Sequence, residues 1–466
     1  MAKAATTRKN FTEGPIFVSL LAFIIPMVLT GVLQALYNTA DHFVVGKFSG
    51  DTLALAAIAS TTSLTGFITN MLMGVAAGAS VALSQAYGAK EEDKVSRGVH
   101  TAMAFAIISG VVFAIISLVL SQPALVVMKT KPELMDKALL YMRIICLGMP
   151  FQATFNFGAA IMRSSGDSKS PLIILIITGI VNVVLNLLFV IVFHMSIAGV
   201  AIATIIAHAV SAVSAIVILT RKQDCFRLRL RDCHIDKKLL GVILKFGIPT
   251  GLQSSLFSLS TIFFARGLNT LETVYVSAKA VSSNVESISN TAISNFGNAM
   301  IAFVGQNYGA KKPERIKKGL MCALLQVTII GITVSSILLF FGDPISRLFI
   351  DASDPNTEEI VQHAIEIMRM IVGFTFLSGI MQTFSGAVRG MGYSTLSMIV
   401  TLSGACVLRI LWVLFIFPLP GMNHASGLYA AFPITWVITS TMHLICFLIL
   451  YKRFRKKLES EAKVEA

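Results

Sequence analysis

Gln85-Ala86-Tyr87-Gly88-Ala89-Lys90 is answered 221 positions later by Gln306-Asn307-Tyr308-Gly309-Ala310-Lys311, with five of six residues identical. Working outward, further pairs keep nearly the same offset. Phe-Ile-Ile-Pro ending at Pro26 returns as Phe-Gly-Ile-Pro ending at Pro249, Arg163-Ser-Ser-Gly returns as Arg389-Gly-Met-Gly, and Gly199 returns as Gly427. The offset drifts only from 221 to 228, so short gaps align the two halves. A duplicated apolar chain with a central interface is the usual build of a secondary transporter, which makes transport the leading functional class.

Composition agrees. Hydrophobic residues make up 55% of the 466, charged residues 13%, and mean hydropathy is +0.77. Apolar runs repeatedly reach the roughly 20 residues that cross about 30 Å of hydrocarbon. Twelve are expected, near 16–46, 53–84, 99–120, 134–162, 171–194, 197–220, 239–268, 273–304, 319–341, 360–388, 395–417 and 425–450. The first is too long for a signal peptide and is read as an uncleaved helix. The fold class is therefore an all-α integral membrane protein of twelve spans in two parallel six-helix lobes. The expected boundaries are 1–220 for the first lobe, 221–238 for a basic linker, 239–450 for the second lobe and 451–466 for a tail.

The net charge of +14 does not point to nucleic acid. If both termini lie on one side, the tails and the connections on that side hold 28 of the 38 Lys and Arg residues; the opposite connections hold five. That is the positive-inside asymmetry, and it puts both termini in the cytoplasm. The basic stretches then serve as topology determinants and contacts for anionic lipid headgroups. Six scattered cysteines without CxxC spacing suggest packing rather than metal binding or disulfides.

The repeated Tyr-Gly-Ala-Lys has a structural explanation, with Gly88 and Gly309 ending helices in a left-handed conformation. Gly74-x-x-x-Gly78 would let two helices approach closely. Polar residues inside apolar spans are more telling, because an ionisable group at membrane depth faces protein or water and is a functional candidate. Gln34, Asn38 and Asp41 fall at i, i+4 and i+7, one polar stripe on the first helix. Asn182 and Asn186 share a face of another, as do Thr204 and His208. At about 1.5 Å per residue, Asp41, Asn182, Asn186 and Thr204 lie in the outer half of the first lobe. One carboxylate with amide and hydroxyl oxygens suits a hard monovalent cation, or a proton on the carboxylate; interhelical hydrogen bonding is the alternative. His208 is read as a helix-contact residue.

In the second lobe Lys279, Ser283, Glu286 and Asn290 form another stripe. Glu286 either binds a cationic substrate or pairs with Lys279, Arg266 or Arg409. Glu366 is expected to pair with Arg369. Gln34, Asn38, Lys279 and Glu286 are the substrate-cavity candidates.

Several segments together resemble the multidrug and toxic compound extrusion (MATE) family over nearly the whole chain. They are Ile25-Pro26 through Tyr37-Asn38-Thr39-Ala40-Asp41 with Val45-Gly46, Gln85-Ala86-Tyr87-Gly88-Ala89, Arg163-Ser-Ser-Gly-Asp167 and Asn182-Val-Val-Leu-Asn186. The resemblance implies two six-helix lobes around a central cleft and export of organic cations driven by Na⁺ or H⁺ entry. It also implies a coupling role for Asp41, with Asn182 and Thr204 beside it. Many members carry aspartate where this chain has Asn186, so the cation site, Asp41 with Asn182, Asn186 and Thr204, here holds a single carboxylate.

The expected function is thus multidrug efflux by Na⁺ or H⁺ antiport, by a monomer in the cytoplasmic membrane of a prokaryote. Small-molecule substrates and membrane lipids are its partners; neither nucleic acid nor a cofactor beyond the coupling ion is expected. A lipid-linked oligosaccharide flippase and an exporter of one metabolite are the rivals. Enzymatic chemistry is not expected, because no nucleophile–base pairing or metal cluster stands out.

Overall fold

The computed structural model describes residues 10–48, 51, 53–350 and 356–465, with side chains throughout except at 38–40, 42, 258–262 and 465. The first half of the chain forms α1 (Ile16–Phe48), α2 (Ala54–Gly88), α3 (Glu92–Val127), α4 (Pro132–Leu147), α5 (Met149–Ser164), α6 (Lys169–Leu187) and α7 (Ser196–Arg221). The second half begins with α8 (Lys237–Leu268), α9 (Thr273–Gly309), α10 (Pro313–Phe340), α11 (Gly342–Arg347) and α12 (Thr357–Ile371). It ends with α13 (Thr375–Gly390), α14 (Ser394–Thr401), α15 (Leu408–Leu411), α16 (Ala425–Tyr429) and α17 (Ala431–Glu465).

Every expected span coincides with a helix or a run of helices. Ten segments are long and apolar enough to cross a membrane, and the pair α4–α5, bent by 48°, makes eleven. The expected span 273–304 is the exception. It is helical as α9, but Lys279, Asn284, Glu286, Asn290 and Asn295 hold its hydropathy down. Such a helix is tolerated because it is packed among other helices, here α10, α12 and α13.

Two compact units do not follow the boundaries of the sequence halves. One contains residues 32–255, the other 11–31 and 256–466. The start of α1 belongs to the second unit because Phe11, Leu20, Phe23, Ile24 and Met27 are buried in one cluster with Phe296, Met300 and Phe303 of α9. Gln306 and Asn307 of the repeated motif hold the chain just before α1. The Phe11 N–H donates to Gln306 Oε1 (3.0 Å), and Asn307 Nδ2 donates to the Phe11 carbonyl (3.2 Å). The linker 221–238 belongs to the first unit, with Phe226 and Leu228 buried in its core. Arg97 pairs with Asp236 at 3.1 Å.

Membrane solvation shows in the middle of α3, where the buried positions from Ala106 to Ser121 are small (Ala106, Ser109, Gly110, Ala114, Ser117, Ser121) while Ile108, Val112, Ile115 and Val119 face outward. Lipid is as apolar as leucine, so small residues go where backbones must approach. The same reason explains Gly74 and Gly78. A Cβ on Gly78 would strike the Gly247 backbone, and one on Gly74 the Gly251 backbone, so α2 and α8 meet main chain to main chain within the first unit.

The repeated helix end departs from expectation. Gly88 and Gly309 remain helical, and the left-handed residues are Lys90 (φ 62°) and Lys311 (φ 56°). The amide of Glu91 bonds back to the Ala86 carbonyl and that of Lys312 to Asn307, a Schellman closure whose left-handed position lies two residues beyond the glycine. A non-glycine residue there costs roughly 1–2 kcal/mol. Lys90 is exposed, so Lys90→Gly should stabilise the first unit by about 1 kcal/mol, read as a raised unfolding midpoint in detergent.

Outside the spans, Asp51 ties the α1–α2 turn to α4. Lys137 Nζ lies 2.6 Å from both of its carboxylate oxygens, and the Leu53 N–H also donates to it. The Lys137 ammonium holds the carboxyl below the usual carboxylate range. A depressed native value means the pair's stabilisation is present above the unfolded carboxylate's pKa, about 3.9, and is lost as pH falls through the lower native value. Asp51→Asn should therefore lower stability at neutral pH and flatten the acid limb of a stability–pH profile.

Candidate functional site

The first unit encloses a cavity of about 340 Å³. Its polar lining comes from six helices, Tyr141 coming from α4. Gln34, Tyr37 and Asp41 come from α1, Thr61, Thr65 and Thr69 from α2, Gln152 and Asn156 from α5, Asn182 from α6, and Thr204 and His208 from α7. Asp41, Asn182 and Thr204, expected from spacing alone, thus face one space, joined by Gln34. Asn186 stands behind them, fully buried, and its Nδ2 donates to Asp41 Oδ1 and, at 3.2 Å, to Asn182 Oδ1. The side chain of Asn38 lies outside the described residues.

Local sequence explains how α1 and α6 meet. The Tyr37 ring occupies the place a side chain at Gly179 would need, and its hydroxyl donates to the Leu175 carbonyl, one turn before that glycine. Asp41 follows Tyr37 by one turn and Asn182 and Asn186 follow Gly179, so seating the tyrosine brings the carboxylate against the asparagines. Directly beyond, Leu188–Val192 forms a π-helical turn, a local widening common near functional sites.

The charge balance is unusual. Among the described residues no Lys or Arg lies within ion-pair distance of Asp41, whose hydrogen-bond partner is Asn186. The Asn186 Oδ1 atom is buried without a partner. An unsatisfied carbonyl oxygen and a carboxylate lacking a counter-charge are both acceptors, costly to bury unless a cation, a proton or water reaches them. Thr204 Oγ1 donates to the Val200 carbonyl at 2.9 Å, which leaves its lone pairs to accept. Asp41, Asn182 and Thr204 share one cavity and Asn186 bonds to the first two; a single carboxylate among neutral oxygens is a set that could hold a hard monovalent cation.

Spacing missed Tyr37, Gln152, Asn156 and the threonines of α2. The threonines were detectable: Thr61, Thr65 and Thr69 repeat every four residues in an apolar helix. Tyr37 was not, because its role depends on a glycine 142 residues away.

In the second unit Glu286 takes the ion-pair alternative. Lys279 Nζ sits 2.6 Å from both of its oxygens, and Ser282 rather than Ser283 donates to it at 3.0 Å. Glu366 does not pair with Arg369. It accepts from Ser426 Oγ (2.9 Å) and lies 3.3 Å from His363 Nδ1.

Comparison with known proteins gives one result at three levels. The MatE family model matches residues 26–188 and 249–415, one match in each half. The probable multidrug resistance protein YoeA of Bacillus subtilis is 27% identical over 80% of this chain and 81% of its own length. The multidrug export protein MepA of Staphylococcus aureus is 21% identical over 95% of both. Among solved structures, the outward-facing conformation of a multidrug resistance MATE family transporter of the MOP superfamily superposes with a TM-score of 0.88 at 20% identity. It covers 97% of this chain and 99% of that one.

Proposed function

The chain belongs to the MatE family of multidrug efflux transporters, which are not enzymes, and on that premise we propose that it exports cationic or amphipathic small molecules in exchange for Na⁺ or H⁺. The observation that carries this is the Asp41 carboxylate, set in a cavity with many polar side chains, beside a buried, unpartnered Asn186 oxygen and, among the described residues, without a protein counter-charge. An incoming cation or proton neutralises Asp41, with Asn182, Asn186 and Thr204 supplying neutral oxygens. Occupation then tightens α1 against α6 and α7, and the altered first unit releases substrate outward. Substrate binding from the cytoplasm favours the return, so ion and substrate compete through one conformational equilibrium. The basic asymmetry of the connections supports both termini being cytoplasmic.

The test is flux in proteoliposomes holding the purified protein. Movement of a fluorescent organic cation is followed under an imposed Na⁺ gradient and, separately, a proton gradient. Flux driven by one of them is expected and names the coupling ion. Absence of flux under both, with protein shown to be folded, overturns antiport of organic cations.

A further inference from the structure

The second unit holds its own cavity, about 310 Å³, at the positions that the internal repeat assigns to the first. Gln34 corresponds to Phe257 at the offset set by the two prolines, and Asn156 to Gln382 at the offset set by the two arginine motifs. Thr204 and His208 correspond to Phe432 and Trp436 at the offset of Gly199 and Gly427. Phe257, Gln382, Phe432 and Trp436 all line the second cavity. The chemistry, however, is changed. Asp41 has Phe264 as its counterpart, and Asn182, lying between motifs offset by 226 and 228, maps to the Leu408–Ile410 turn that carries Arg409.

Arg409 lines this cavity and is 1% exposed. Its guanidinium carbon lies 4.1 Å from the centre of the Phe432 ring and 5.4 Å from that of Phe257. Its Nη2 donates to Thr435 Oγ1 at 3.4 Å, and its Nε is buried without a partner. Among the described residues no carboxylate reaches it: Glu286 is engaged by Lys279, and Glu366 by Ser426 and His363. The helix is irregular around it, with π-helical turns at Leu402–Val407 and Trp412–Ile416 on either side. A guanidinium stacked on aromatic rings keeps its in-plane N–H edge for a planar anion, and a buried cation without a counter-charge is costly until one arrives.

We propose that this cavity binds the carboxylate or sulfonate of an amphipathic organic anion, with the Arg409 N–H edge donating to the anionic group and Phe432, Phe257 and Trp436 enclosing the apolar body. As an export site it rests on the transport function proposed above; as a binding site it needs no gradient. The internal repeat then carries opposite polarities, a cation-accepting site in the first unit and an anion-accepting site in the second.

The chain has two tryptophans, and Trp436 lines the cavity, so Trp412→Phe leaves an intrinsic reporter of occupancy. Three probes of one shape and different charge are titrated into that protein in a neutral detergent: 3-phenylpropanoate, 3-phenylpropanamide and 3-phenylpropylammonium. Saturable change of Trp436 emission is expected with the carboxylate, at least tenfold tighter than with the amide, and weaker still with the ammonium. Arg409→Gln should bring the carboxylate down to the amide's affinity, and Arg409→Lys should retain part of the preference. If Arg409→Gln fails to fold, the charge series alone decides. Equal affinity of carboxylate and amide, or preference for the ammonium, overturns the proposal. Repeating the titration in phosphatidylcholine and in phosphatidylglycerol nanodiscs separates the sources. Binding lost only in the anionic lipid assigns the same site to a headgroup, and binding in both assigns it to free organic anions. Failure of the proteoliposome test would leave the outcome of this one unaffected.

Discussion

Asp41→Asn should abolish ion-coupled export while leaving the protein folded. The substitution keeps the shape and a hydrogen-bonding partner for Asn186, but removes the formal charge from the donor set. A unit charge about 4 Å from a cation contributes on the order of 4 kcal/mol at an effective dielectric of about 20, so cation affinity should fall roughly a thousandfold. Asparagine cannot be protonated at working pH either, so the loss is expected whichever ion drives transport. The measurement is export rate at fixed Na⁺ and proton gradients beside the thermal midpoint of the same preparation. Full coupled export by the variant would remove Asp41 from the mechanism.

The second large effect is expected at a residue that carries no charge. Gly179→Leu places a side chain where the Tyr37 ring sits. Overpacking of this kind costs about 1–3 kcal/mol. Here it should also draw Asp41 away from Asn186, since Tyr37 and Asp41 share one face of α1. Cation binding and coupled export should both fall, although no donor is altered. Adding Tyr37→Ala should restore much of the lost stability, giving a coupling energy that unrelated positions would not show. Coupled export by Gly179→Leu at the wild-type rate would mean that the tyrosine seat does not set the site.

How legible the site was depends on whether its logic is local. Asp41, Asn182, Asn186 and Thr204 could be singled out because polar groups are costly in an apolar helix, and a spacing of four puts them on one face. The same rule also singled out Lys279 and Glu286, which turned out to satisfy each other. Spacing identifies groups that need a partner without naming the partner. Arg409 shows the converse: it was a possible counter-charge for Glu286, and its lack of one emerged only once Glu286 was seen bound to Lys279.

Membrane residence, the positions of the apolar helical segments and the duplication were all legible in the chain itself, because hydropathy and repeated motifs are properties of consecutive residues. The count was not, since twelve spans were expected and ten, or eleven with the bent pair, are long and apolar enough. Tertiary structure alone decided the rest. It assigned the start of α1 to the second unit through the burial of Phe11 and Phe23, and seated Tyr37 on Gly179. It also brought a carboxylate, Asp41, into the lining of one cavity and a guanidinium, Arg409, into the lining of the other. Each of these outcomes is a contact between residues distant in sequence, and its energy exists only when both partners are in place.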